Sequence, residues 1–283
     1  MKNNPPRFSI ITINLNNREG LRKTILSVLE QKCRDFEYIV IDGASTDGSI
    51  DVIREYEHSI TSWISEKDSG IYNAMNKGLA RAGGEYIYFL NSGDFFYSPH
   101  VLSEIHGMDT VFDILCGRVM TTDGSIQKTS PLWGNQESFY FIIKNFCHQA
   151  AFMRTQLCKK HSFDETYKIC ADRKMLLSLL FEEEATFRPI NNLIAYFDLS
   201  GISSTSDKVI LAEDARSLRE ALPTVILNDY RLLLCSPIGP YYMATLVHFQ
   251  NPKKNLFYWC ARIFRLAAKY LLIISAYCSS KAK

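Results

Sequence analysis

Three aspartates stand where this chain could do polar chemistry. Asp42 directly follows the apolar run Tyr38-Ile-Val-Ile41 and precedes Gly43. A carboxylate there can accept the ring N–H of a nucleotide base or a ribose hydroxyl, and it can equally close an Asx turn or cap the next helix. Asp94 ends Leu90-Asn-Ser-Gly-Asp94, just after an aromatic run. A carboxylate beside glycine at the lip of a sheet suits a hard divalent cation that also takes diphosphate oxygens; the plainer alternative is a turn aspartate. Asp172 precedes Met175, Leu176, Leu179 and Leu180, the spacing of an apolar helix face. It reads as a helix N-cap whose carboxylate could also be aimed as a general base. His148-Gln149 adds an imidazole, a residue type more often structural than catalytic.

Other chemistries lack their signatures. No G-x-G-x-x-G follows the first apolar run, and neither G-x-x-x-x-G-K-[ST] nor G-x-S-x-G occurs. Dinucleotide, P-loop and serine-hydrolase readings therefore lose their main support. The 8 cysteines never form C-x-x-C, which excludes a zinc ribbon or a dithiol redox motif. Spread thinly, they read as reduced thiols of a cytoplasmic protein. Lys plus Arg is 32 against 30 for Asp plus Glu, and a formal charge of +2 gives no electrostatic case for a nucleic-acid partner.

The elements that must position these residues can be read from periodicity. Phe8–Asn14, Phe36–Asp42 and Glu85–Asn91 are continuous apolar runs of the kind that form strands covered on both faces. Trp63-Ile64 offers a short further strand. Helical spacing marks Leu21–Leu29, Ile50–Tyr56 and Ile71–Ala80 between them. That alternation predicts βαβ units and a parallel sheet, with ligands beyond the carboxyl ends of the strands. Beyond residue 110 the pattern predicts a hairpin over 114–128, a strand at 149–153, a helix over 172–181 and an extended segment at 186–196. The polar stretch Ser200–Asp207 reads as a linker, dividing the chain into a catalytic domain over 1–205 and a helical extension over 206–283.

The order of these segments resembles the family 2 glycosyltransferases. Phe8-Ser-Ile-Ile-Thr12 with Asn16, Leu26–Gln31, Glu37–Ser49, Asp68–Gly78, Gly84-Glu-Tyr-Ile and Leu90–Asp94 carry the resemblance, which spans roughly 8–200. It implies the GT-A fold, an α/β architecture with a Rossmann-like, mostly parallel central sheet and flanking helices, followed here by a helical, amphipathic C-terminal extension. It also implies an inverting transfer from a nucleotide-diphosphate sugar and a divalent metal, Mn²⁺ or Mg²⁺. By position, Asp42 matches the aspartate that contacts the nucleotide base, with Asn16 and Asp68 nearby on the nucleotide side. Asp94 matches the last aspartate of the D-x-D-like motif, and Asp172 falls at the general-base position. Two positions depart from the pattern. The D-x-D-like segment reads Asn91-Ser-Gly-Asp94, leaving one carboxylate, and Ile13 occupies the usual proline position. Asn91 is then a cofactor-side residue offering a neutral carbonyl, and a lower metal affinity is expected. The missing carboxylate keeps a non-catalytic nucleotide-sugar-binding module open as an alternative. A sugar nucleotidyltransferase would want a glycine-rich basic loop after the first strand, where Asn14–Gly20 has a single glycine.

The last stretch bears on location. Leu256–Cys278 is rich in Phe, Trp, Tyr, Leu and Ile, and its Arg262, Arg265 and Lys269 fall within a stripe of roughly 60° on a helix. This is the pattern of a helix lying in a membrane interface; the alternative is a helix packed on the domain with a solvated basic edge. The uncharged stretch between Arg231 and Lys253 is interrupted by Ser236-Pro-Ile-Gly-Pro240 and is no spanning helix. The expectation is a cytoplasmic enzyme, peripheral on the inner membrane, whose acceptor is a saccharide or lipid-linked saccharide for a bacterial surface polysaccharide.

Overall fold

The structure is a computed structural model and describes residues 5–108, 111–121, 126–127, 146–199, 207–224 and 227–228. Its first half is the βαβ alternation that periodicity predicts. Strands β1 (Phe8–Asn14), β2 (Phe36–Asp42), β3 (Ser62–Ser65) and β4 (Tyr86–Phe89) lie parallel in the order β3-β2-β1-β4. All seven residues of β1 are buried, as a β-branched strand with neighbours on both edges and helices on both faces should be. Helices α1 (Arg18–Leu29), α2 (Ser49–Glu55) and α3 (Ile71–Arg81) make the crossovers. Because β2 and β4 flank β1 on opposite sides, the strand order reverses at β1. A crevice opens there beyond the carboxyl ends.

The second half extends the same sheet with mixed polarity. Strand β8 (Ala151–Arg154) runs antiparallel to β4, and β6 (Ile114–Thr121) antiparallel to β8. Strand β9 (Phe187–Phe197) runs parallel to β6, and β5 (Phe95–Phe96) closes the edge against it. The expected hairpin is present as β6 paired with β7 (Ile126–Gln127). Three short elements carry too little periodicity to predict: β5, α4 (Val101–His106) and α5 (Thr155–His161).

Alternation along the strands sorts the core into two layers. Ile11 and Ile41 face α3, where Gly78 lets the helix sit close: a Cβ there would meet Ile11 Cγ2 at 2.5 Å. On the alternate positions an aromatic stack holds the halves of the sheet together. Tyr88 stacks on Phe152 at 4.5 Å and on Phe96 at 5.3 Å, and its hydroxyl donates to the Gln149 carbonyl at 2.7 Å.

Helices α6 (Ala171–Phe181) and α7 (Asp207–Ala221) pack together. The domain boundary expected at 205/206 thus falls just ahead of a helix tied to the sheet domain. Glu213 accepts the backbone N–H groups of Lys168, Ile169 and Cys170 at 2.7, 2.9 and 3.0 Å, and Asp214 pairs with Arg173. The proposed interfacial helix at 256–278 lies outside the described residues. Among the described residues, no helix is long and apolar enough to cross a membrane.

Candidate active site

A cavity of about 1070 Å³ opens at the carboxyl ends of β1 and β4, between the sheet, α3 and the first turn of α6. The rim at the ends of β1, β2 and β3 follows from strand register. Asn14, Asp42 and Ser65 are paired neighbours on the last rungs of β1, β2 and β3. Asn14 Nδ2 donates to Asp42 Oδ1 at 2.8 Å, and Ser65 Oγ donates to Asp42 Oδ2 at 2.6 Å. The backbone N–H and the hydroxyl of Ser45 complete the set at 2.9 and 2.6 Å. Asp42 is fully buried. The geometry is that of the turn-forming alternative: Asp42 holds the 42–45 turn and does not itself line the cavity.

What the Asp42 knot presents to the cavity is Asn14. With Nδ2 held by Asp42 and Ser45, its carbonyl Oδ1 is buried without a partner, and the residue lines the cavity. Asn16 is exposed and stands outside the cavity. In a left-handed conformation (φ 50°), it accepts the Thr46 N–H on Oδ1, clamping the turn from above. The neighbouring Asn17 lines the cavity instead and caps α1 through the Gly20 N–H. Asp68 also lines the cavity, close against Gly43, where a Cβ would lie 2.5 Å from its Oδ2.

Asp94 sits at the other side of the strand ends, in a turn that α1 grips. Thr24 Oγ1 donates to the Asp94 carbonyl at 2.6 Å and accepts the Gly93 N–H at 3.1 Å, while Asn17 Nδ2 donates to the Ser92 carbonyl. Gly93 takes φ 106°, which favours glycine, and a Cβ there would lie 2.8 Å from Asp198 Oδ2. The Asp94 carboxylate is buried and accepts the Asp198 N–H on Oδ1 (2.8 Å) and Gln149 Nε2 on Oδ2 (3.2 Å). Burial pushes its pKa up to about 7 against the pull of the Asp198 N–H, His148 and Gln149. Asp198, at the end of β9, lines the cavity beside it. Sequence reading missed it, since nothing local marks a lone aspartate after an edge-pairing strand.

This donor set fits a divalent cation that completes its shell from a ligand. Each Asp94 oxygen accepts one N–H and keeps acceptor capacity, and a second carboxylate stands by Gly93. Among the described residues no three acidic, Cys or His side chains form a full cage. One or two carboxylates plus substrate phosphates is a usual arrangement for Mg²⁺-type ions.

Asp172 lines the same cavity. Cys170, not Asp172, is the N-cap of α6, so the expected cap role passes to another residue. Asp172 sits in the first turn, takes the Arg173 N–H on Oδ1 (2.8 Å) and meets His148 Nδ1 with Oδ2 (2.9 Å). His148 in turn lies 3.1 Å from Asn91 Nδ2 through its Nε2. Asn91, Asp94, His148 and Asp172 therefore line one cavity although they come from widely separated segments.

A crevice at a strand-order reversal, lined by a buried carboxylate and a first-turn aspartate, defines a candidate group-transfer site built on a Rossmann-like sheet. The chain belongs to glycosyl transferase family 2, whose profile matches residues 9–168, and it is a glycosyltransferase. An uncharacterized glycosyltransferase of Mycobacterium tuberculosis is 31% identical over 220 residues, covering 75% of this chain and 83% of the relative. A Bacillus subtilis glycosyltransferase named for teichuronic acid biosynthesis is 40% identical over 97 residues, 33% of this chain and 38% of that one. Among solved structures, S. aureus TarS 1–349 with UDP-GlcNAc superposes with a TM-score of 0.64 at 16% identity, over 89% of this chain and 78% of that one. The Pyrobaculum calidifontis mannosyltransferase PcManGT with GDP-Man and Mn²⁺ gives 0.54 at 15% identity, over 96% and 80%. These likenesses establish the GT-A fold.

Proposed function

We propose that this enzyme transfers a sugar, with inversion, from a nucleoside diphosphate donor to a hydroxyl of a saccharide or lipid-linked saccharide used for a bacterial surface polysaccharide. The observation that carries the reading is that Asp94 and Asp172 line one cavity. The nucleotide lies along the β1–β2 side, where Asn14 Oδ1 and Asp68 are acceptors for base N–H or ribose hydroxyls, and Asp42 acts by fixing Asn14. Asp94 and Asp198 would hold a divalent cation at the diphosphate. Such an ion, when bound, neutralises charge on the leaving diphosphate.

Asp172 takes the proton from the acceptor hydroxyl as that oxygen attacks the anomeric carbon from the face opposite the diphosphate. The carboxylate is held by the Arg173 N–H and His148, which leaves lone pairs on both oxygens for the incoming proton. Leu15, Ile71, Phe197 and Ile210 give the cavity an apolar part to its lining. In support of a lipid-linked acceptor stands the aromatic and basic pattern of 256–278, which would bring the enzyme to the cytoplasmic face of the inner membrane.

The test is calorimetric titration of UDP, GDP, CDP and dTDP with and without Mn²⁺, on the wild type and on Asp94→Ala. Metal-enhanced binding of one nucleotide, weakened in the variant, supports the reading. No binding of any nucleotide would overturn this cavity as the donor site.

A further inference from the structure

Asn91 stands where the family motif carries its first carboxylate, yet its side chain is spent on a different partner. Its Nδ2 lies 3.1 Å from His148 Nε2, and His148 Nδ1 lies 2.9 Å from Asp172 Oδ2. With the Asn91 amide placed as it is, Nδ2 is the donor and Nε2 the acceptor, and that assignment is what the NMR test below reads. The proton of the neutral ring then sits on Nδ1 and is donated to Asp172. The imidazole and the carboxylate are 13% and 18% exposed, so water competes weakly for either bond.

A carboxylate at position 91 could only accept. It would draw a proton onto Nε2, and the ring would then either stop donating to Asp172 or face it as a cation. Either outcome disturbs the Nδ1–H donation that aims the base.

We propose that Asn91 and His148 are positioning residues for the base. The Asn91 amide holds His148 in the Nδ1–H tautomer, and that tautomer aims Asp172 Oδ2. The substitution that removes a carboxylate from the motif thus serves the proton-accepting wall of the cavity rather than the diphosphate wall. This inference rests on the glycosyltransferase reading only for what Asp172 does, not for the tautomer.

The test is ¹⁵N imidazole NMR of the full-length protein, with His148 assigned by its loss in His148→Asn. The wild type should show His148 protonated on Nδ1 with a bare Nε2, and Asn91→Asp should protonate Nε2. A wild-type Nε2–H tautomer, or an unchanged ring in Asn91→Asp, overturns the proposal. The wild-type spectrum decides the first half even if the variant fails to fold.

A kinetic arm uses the nucleotide identified by titration, as its sugar conjugate, and reads nucleoside diphosphate release. Asn91→Asp should slow release about tenfold or more with nucleotide affinity within about twofold of wild type. His148→Asn, whose amide can still donate from the Nδ1 position, should retain more activity than His148→Gln. The reverse order, or a faster Asn91→Asp, counts against it. Failure of the broader reading would appear instead as absence of nucleotide binding with the tautomer intact.

Discussion

The two walls of the cavity are built in different ways. The wall at the strand ends is a product of strand register: Asn14, Asp42 and Ser65 meet because they end three adjacent parallel strands on paired rungs. The Asp172 side has no such rule behind it. Asp172 is aimed by His148, which is 24 positions away, and the loop before it is pinned by Glu213 from a helix beyond the family match. One wall is an outcome of secondary structure, the other of tertiary contacts between short elements. The first should therefore fail by losing stability, the second by losing turnover.

The largest effects should come from the two aspartates that face the reacting atoms. Asp172→Asn should lower kcat by ~10²–10⁴ while nucleotide affinity, read by titration, stays at the wild-type value. Asp94→Ala should lose both turnover and metal-enhanced nucleotide binding, because Asp94 is the proposed cation ligand. If Asp172→Asn weakened nucleotide binding as much as Asp94→Ala, the separation of the walls would be wrong.

What could be read beforehand divides along the same line. β1, β2, α3 and β4 were legible because a parallel sheet buried on both faces leaves continuous apolar runs, and their polar ends mark the cavity rim. Residue type alone could not say which end residues face a ligand. Asp42 has two readings by residue type, base contact or turn; the paired rung bonds it to Asn14, Ser45 and Ser65, and of these Asn14 lines the cavity. Asn16 and Asn17 are likewise adjacent and alike, and only the positive φ at Asn16 turns one outward. Asp198 and Glu213 were invisible, since their partners are 104 and 43 to 45 residues away.

The register wall can be broken from inside. Asp42→Ala would leave Asn14 Nδ2, the Ser45 N–H and the Ser65 hydroxyl without the acceptor they share in a buried site. An unsatisfied buried donor costs ~1–3 kcal/mol, and partial re-pairing with water or with each other would recover some of it. The expected loss is about 3 kcal/mol of unfolding free energy by urea denaturation. A variant as stable as wild type would show that the turn is held by its backbone rather than by the carboxylate.

The smallest effect sharpens the comparison most, because it comes from a residue outside the cavity. Glu213 accepts three consecutive backbone N–H groups, from Lys168 to Cys170, on its two carboxylate oxygens. Bonds to a charged acceptor are roughly twice as strong as neutral ones, so this carboxylate holds the loop that delivers Asp172. Glu213→Gln keeps the size and one acceptor oxygen but removes the charge. It should reduce kcat about tenfold through a loosened base, with nucleotide affinity unchanged. A loss confined to stability, with kcat intact in the folded fraction, would make α7 a brace for the domain alone. A loss confined to kcat would place this helix among the devices that aim the base, two residues ahead of the aspartate and on the far side of its loop.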